Sequence, residues 1–425
     1  MSKKKIILII STFFLIILLL NFNSFRNQLR NNLPADLKIK IKTLFFGENY
    51  LNEITYLKKS NYKLKILPSS EFVNFQFGSV LVDKLNDDKK NKYNFAKGIK
   101  KIYIEQYLEK FIISSYDGNI FLIDQEDLFQ NKAKFSKIDT NLGKFNINDV
   151  QDLFVFNDKL YISFANNVSN SCNYLNVAVA KINLKKNRFD FDIFFKSNDC
   201  TKPISAGRMI KINHNQKDGL LISTNYNNID DIEIIKAQDD KSSFGKTLFI
   251  DFENKKPIVY TKGHKTPQGL VAYKDFIIAT EHGPRAGDEI NLLKPGKNYG
   301  WPIASYGENY SFKYDKNKYE LKKNHKENGF EEPIYAFVPA IGISQIVVVP
   351  ENFHNMWSDN NFLVSSLNGR SIYRVKFDEN FQKVIFAEKI FVGERIRDII
   401  YNKKFNAFIL GLEDTGSVGF FNTLK

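Results

Sequence analysis

Along most of this chain, short runs of apolar residues end in small residues and then a polar turn, and the phrase recurs six times. The copies are FIISSYDGNIFLID (Phe111 to Asp124), LYISFANN (Leu160 to Asn167), LLISTNYNN (Leu220 to Asn228), FIIATEHGP (Phe276 to Pro284), FLVSSLNGRSIYRV (Phe362 to Val375) and FILGLEDTGSVGFF (Phe408 to Phe421). In several of them a second alternating run follows the turn, which is the pattern of a β-hairpin. Copies roughly 45 to 85 residues apart suit the blades of a propeller, each a sheet of about four strands, with insertions between them. The pattern therefore predicts an all-β, six-bladed β-propeller over residues 66–425, with SEFVNFQFGSVLVD (Ser70 to Asp83) supplying its first strands. No part of this body holds a helical period; only parts of residues 26–60 do.

The first residues follow a different rule. Lys3, Lys4 and Lys5 precede an apolar run from Ile6 to Leu20, the pattern of an export signal whose positive end stays in the cytoplasm. Asn21, Phe22, Asn23 and Ser24 follow, with no small-x-small cleavage site. Residues 1–25 are expected to be an uncleaved signal anchor, with a removed signal peptide as the alternative. Residues 26–65 are expected to form a stalk. The body would then face the periplasm from the inner membrane, or be secreted into the periplasm.

An exported chain gives its two cysteines a meaning. Cys172 and Cys200 bracket two strand-like runs, NVAVAKI and RFDFDIFF, and an oxidising compartment permits a disulfide there; two free thiols are the alternative. The 425 residues, 43% hydrophobic and 14% aromatic, are enough to bury a large core. The net charge of +14 is spread among interleaved Asp and Glu, without an arginine stripe or stacking motif, which argues against nucleic-acid binding. The charge reads as a solvated surface with some attraction to anionic lipid near the anchor.

The densest chemistry lies from Thr261 to Pro302, read as a strand (Gly269 to Thr280) between two irregular loops. The first loop, GHKTPQGL, carries Lys265 and Thr266. The second, EHGPRAGDEINLL, sets the Gly283-Pro284 step before the carboxylates Asp288 and Glu289. Carbonyls freed by a Gly-Pro turn, with carboxylates downstream, are what calcium requires. The plainer alternative is a loop closed by side-chain turns, with Asp288 and Glu289 solvated. The long stretch from Tyr306 to Glu332 reads as an insertion covering a site.

These pieces resemble the soluble quinoprotein glucose and sorbosone dehydrogenases, whose pattern runs GHRNPQGL, EHGP, GDEINL and NYGWP. GHKTPQGL, EHGPRAGDEINLLKPGKNYGWP and the later GERIRDII (Gly393 to Ile400) match in order and spacing, from about residue 260 to the end. The resemblance implies a six-bladed propeller with pyrroloquinoline quinone (PQQ) lying flat on one end, a calcium ion polarising its reactive carbonyl, paired arginines on its carboxylates, and a histidine base. It implies calcium on the carbonyls of Gly283 and Pro284, and a structural calcium site from Asp288, Glu289 and Glu332. Arg395 and Arg397, two apart on a strand, would grip the cofactor with Lys265 and Thr266.

The chain departs from that pattern in four places. Lys265 and Thr266 replace Arg-Asn, and a lysine loses the planar fork of an arginine. Asn368 stands where a lysine is expected. The family's catalytic histidine precedes a Gly-Gly-Arg turn; the nearest phrase here, KPISAGRMIKI, has Ile204 or Ser205 in its place. His214 reads as an exposed loop residue, which leaves His282 as the candidate catalytic base or else a turn histidine. Two functions follow. One is a membrane-anchored quinoprotein dehydrogenase that oxidises a sugar, polyol or aldehyde and passes electrons to a quinone or cytochrome. The other is a calcium-bearing propeller that has lost its base and serves as a carbohydrate-binding or assembly module. A lactonase reading has less support, because no His-Asp dyad stands in the right context.

Overall fold

The computed structural model describes residues 65–67, 73, 75–82, 101–130, 132–169, 172–227, 236–308, 321–357 and 359–423. The anchor and almost all of the stalk expected in residues 1–65 lie outside them. Among the described residues no helix is long and apolar enough to cross a membrane.

Six sheets make up the described part, each with four or five strands; they are antiparallel except where the short strand Arg188–Phe189 runs parallel to Ser136–Thr140 at one edge. Their first strands, Ile102–Tyr107, Ile147–Phe156, Met209–His214, Pro267–Tyr273, Ile343–Val348 and Ile396–Asn402, each touch the first strands of the sheets on either side and so close a ring. This is the predicted six-bladed propeller. Each recurring phrase coincides with the second strand of one blade: Lys110–Ser115, Lys159–Ser169, Lys217–Ser223, Phe276–Glu281, Asn361–Ser366 and Ala407–Leu412. That strand is flanked on both sides by its own sheet and on both faces by other blades, which is why it is almost uniformly apolar.

The segment Ser70 to Asp83 supplies an early strand of the propeller, as expected, but places it in the last blade. Phe75–Leu81 does not begin the first blade; it pairs antiparallel with Ser417–Thr423 and completes the last blade. The ring is thereby closed by hydrogen bonds between the two ends of the described chain. Aromatic packing seals this junction, with Phe75 edge-on to Phe421 at 5.5 Å and to Trp357 at 5.4 Å. The apolar cores lie between neighbouring blades, where inward residues from two sheets interdigitate.

Gly269 to Thr280 also differs from the single strand expected. Lys274, with φ of 53°, and Asp275 turn the chain, so the segment is a hairpin of Pro267–Tyr273 and Phe276–Glu281. Cys172 and Cys200 form a disulfide with Cα atoms 5.5 Å apart. It ties Cys172–Lys181 to the chain leaving Asp192–Lys196, its antiparallel neighbour, which settles the pairing the sequence left open.

Candidate functional site

Strand alternation decides where the site lies. In a four-stranded antiparallel blade, the turn after the second strand and the link to the next blade emerge at the same end. EHGP is such a turn, while GHKT, the KPISAGR segment and the VGER segment are such links. Lys265, Thr266, His282, Gly283, Pro284, Ser205 and Arg395 therefore gather at one end although they come from separate blades. His214 belongs to a hairpin turn at the opposite end, where its ring packs edge-on against Phe249 and Tyr260.

Glu281 organises the first loop. Its carboxylate accepts from the Lys265 backbone N–H and sits 2.9 Å from His264 Nδ1. His264 is fully buried, stacked on Tyr299 at 4.7 Å, and its Nε2 lies 2.8 Å from Thr261 Oγ1. This histidine is a structural one. It holds the loop so that the Lys265 ammonium lies 5.6 Å over the Trp301 ring. No carboxylate or hydrogen-bond acceptor pairs with that ammonium among the described residues. Burial pushes its pKa down to about 8, against the pull of Asp288, Glu281 and Glu289. A poorly compensated cation over an aromatic face in a cleft is a seat for an anion.

His282 has the complementary feature. Its Nε2 is buried with no hydrogen-bond partner among the described residues. Burial lowers its pKa, with Asp288 opposing and Lys265 and Arg397 adding to the fall, and a hydrogen bond to the Ile343 backbone works the other way. Burial thus favours the neutral ring, with one nitrogen unused by any described residue, as a base requires. Thr266 accepts the His282 backbone N–H at 3.0 Å, and its Oγ1 donates to Asn227 Oδ1 at 2.5 Å. Asn227 in turn donates to Ser205 Oγ at 3.1 Å. The position lacking the expected histidine therefore stands beside Thr266, with Ser205 at the site and Ile204 buried in the core.

Arg395 lies in the link just before the strand Ile396–Asn402 that carries Arg397, so the two are not neighbours on one strand face, but both are engaged by one carboxylate. Glu413, fully buried, accepts from Arg395 Nε at 3.0 Å and Arg397 Nε at 2.5 Å. Arg397 also donates to Gln268 Oε1 at 2.9 Å. Behind them Arg208 donates to Asp152 at 2.7 Å and Asp398 at 2.8 Å, and to the Gln268 and Arg397 carbonyls. This buried network ties four blades at the axis of the ring. Sequence reasoning missed Glu413, Gln268 and Arg208; the one signal was the carboxylate pair in GLEDTG, which the strand phrase overshadowed.

The carboxylates expected to bind calcium are divided by the strand that carries them. Neighbours on a strand point to opposite faces. Asp288 accepts the Ile341 and Ile343 backbone N–H groups at 3.0 and 2.9 Å, pinning the link to the next blade. Glu289 faces the other way, with Oε1 lacking a hydrogen-bond partner among the described residues and lying 3.7 Å from His325 Nε2. Both are buried, at 3% and 6% exposure, so neither is solvated. Glu332 is exposed and joins the same side as Glu289 through Tyr306, whose hydroxyl it accepts and whose ring lies 5.3 Å from His325. Among the described residues no three metal-ligating side chains converge. The carbonyl oxygens of Gly283 and Pro284 accept no hydrogen bond from any described residue. The ends of the Tyr306 to Glu332 insertion lie against this turn, with Arg285 and Glu308 exchanging backbone hydrogen bonds at 2.8 and 2.7 Å; residues 309–320 are outside the described part.

The fold and this polar end define a propeller of the sugar-dehydrogenase class. The chain belongs to the glucose/sorbosone dehydrogenase family, whose model matches residues 106–418. It is 31% identical over 189 residues to an uncharacterized protein from Synechocystis, covering 44% of each chain. It is 29% identical over 175 residues to the aldose sugar dehydrogenase YliI from Escherichia coli, covering 40% of this chain and 45% of the relative. The chain thus spans less than half the length of these curated relatives. Among solved structures it is similar to a glucose dehydrogenase (TM-score 0.63, 21% identity, 77% of this chain and 97% of the other). It is also similar to the PQQ-bound aldose sugar dehydrogenase from Streptomyces coelicolor (TM-score 0.53, 18% identity, 77% and 94%). At these identities the structural likeness speaks for the fold.

Proposed function

We propose that this chain is a PQQ-dependent sugar dehydrogenase, membrane-anchored and facing the periplasm, oxidising an aldose or related polyol and passing electrons to a quinone or cytochrome. The observation that carries the reading is the buried Nε2 of His282, unpartnered among the described residues, beside a poorly compensated Lys265 and the Gly283 and Pro284 carbonyls, which accept no hydrogen bond from a described residue. PQQ, when bound, supplies the acceptor for the hydride that leaves the sugar carbon. The chain's own residues do the rest. Lys265 attracts a cofactor carboxylate, Thr266 and Asn227 line the approach, and the Gly283 and Pro284 carbonyls suit a calcium ion. His282 takes the proton from the sugar hydroxyl as the carbon is oxidised.

A second reading keeps the scaffold without the chemistry, as a carbohydrate-binding or assembly module. The observation in its favour is Glu413, whose carboxylate already engages both arginines expected to grip the cofactor. Titration of the protein with calcium and PQQ, followed by dye-linked oxidation of a sugar panel, separates the two. Stoichiometric cofactor binding with turnover supports the dehydrogenase; absence of binding removes it in favour of the module.

A further inference from the structure

At the end of the ring opposite the candidate site, the hairpin turns of the second and third blades frame a cleft of about 370 Å³. That volume falls in the usual range for small-molecule sites, roughly 300 to 1,000 Å³. Its apolar lining is Val179 and four aromatic rings, drawn from both blades. Phe156 and Phe252 lie nearly parallel at 5.0 Å, and Tyr161 meets Phe194 edge-on at 5.4 Å. Tyr161 is 3% exposed, and its hydroxyl has no hydrogen-bond partner among the described residues.

The rim is polar and balanced. Lys159, Lys217 and Lys255 face Asp218, Asp251 and Glu253, three formal charges of each sign. Asp251 is committed to its own turn and to Lys217 at 3.3 Å. Lys159, Lys255 and Glu253 are exposed and form no ion pair with a described residue. The walls are preformed: Asn157 and Asp158, and Asn215 and Gln216, all have positive φ, the geometry of tight two-residue hairpin turns. Such turns hold their shape without a ligand.

We propose that this cleft is a second carbohydrate site, which takes a neutral sugar ring and is separate from the oxidising end. The aromatic lining matches the apolar C–H face of a sugar, whose weakly positive hydrogens pack against the negative face of a π system. Donors and acceptors in equal number around the rim match hydroxyls, each of which both donates and accepts. A charged ligand of either sign would meet as many like charges as opposite ones around the rim, and a purely apolar one would leave the rim's donors and acceptors unmatched. The inference stands on these residues alone and does not depend on cofactor binding at the other end.

The test is saturation-transfer NMR and calorimetry on the full chain with a panel of neutral mono- and disaccharides, alongside glucose 6-phosphate and glucuronate. The expected result is binding of a neutral sugar that weakens about tenfold in Phe252→Ala and about threefold in Glu253→Gln. Glu253 is exposed, so Glu253→Gln leaves folding intact and serves as the check if Phe252→Ala is unstable. Binding that persists in Arg397→Ala and Lys265→Met places it away from the candidate site. Binding insensitive to both cleft variants, no binding of any neutral sugar, or tighter binding of the charged analogues each overturns the proposal.

Discussion

Arg397 donates from Nε to Glu413 at 2.5 Å, and both side chains are cut off from water, at 9% and 0% exposure. Arg395 shares the same carboxylate from its other oxygen. A buried carboxylate bridging two guanidinium groups is far more costly to break than to keep. Glu413→Gln leaves two cations with one neutral partner and is expected to lower stability by roughly 3–5 kcal/mol. Chemical denaturation of the wild type and the variant measures it, and a loss below about 1 kcal/mol would contradict the arrangement.

The same pair predicts a pH dependence. Burial alone would raise the Glu413 pKa, but Arg397 and Arg395 outweigh it and hold the carboxyl at about 2 instead of 4.5. A carboxylate more acidic in the folded state than in the unfolded one stabilises the fold above the unfolded pKa. That stabilisation is lost as pH falls from about 4.5 toward 2. Thermal melts across this window should show a steep decline that is shallower in Glu413→Gln.

Lys265 offers a test with a readout other than turnover. Its ammonium is charged below about pH 8, so the affinity for PQQ, a carboxylate ligand, should fall as pH rises through 8. Lys265→Met should weaken that affinity about tenfold or more at pH 7 and remove the pH step. Fluorescence titration of the cofactor would report both. Equal affinity in the variant would deny Lys265 its role.

Gly283 has no room for a side chain. A Cβ there would lie 1.5 Å from the Gly287 carbonyl oxygen, so Gly283→Ala must displace the turn that aims the Gly283 and Pro284 carbonyls. Calcium added to the wild type is expected to raise Tm, and the variant should lose that response. A calcium-dependent rise of equal size in both would place the ion elsewhere.

The disulfide between Cys172 and Cys200 closes a loop with a sequence separation of 28. Cys172→Ser with Cys200→Ser is expected to cost roughly 2–4 kcal/mol, largely by freeing the unfolded chain. Wild-type protein treated with reductant should melt with the double variant.

Several features were legible from local pattern. The six phrases located the second strand of each blade, because a strand enclosed on all sides must be apolar whatever its neighbours are. The order GHKTPQGL, EHGP, GDEINL and RIRD was enough to place the family. Strand spacing did not place Arg395 and Arg397: Arg395 stands in the link before the strand, and it is Glu413 that brings the two together.

What the sequence alone could not decide was partnership between distant segments. Phe75–Leu81 looks like the start of the first blade until Ser417–Thr423 is found beside it. Asp288 and Glu289 read as one acidic pair, but the pleat turns one toward the Ile341 and Ile343 amides and the other toward His325. Arg395 and Arg397 read as free cations, and only closure of the ring brings Arg397 against Gln268, 129 residues away in sequence. Charge and periodicity are written along the chain; which charge meets which is fixed by the closing of six blades around one axis.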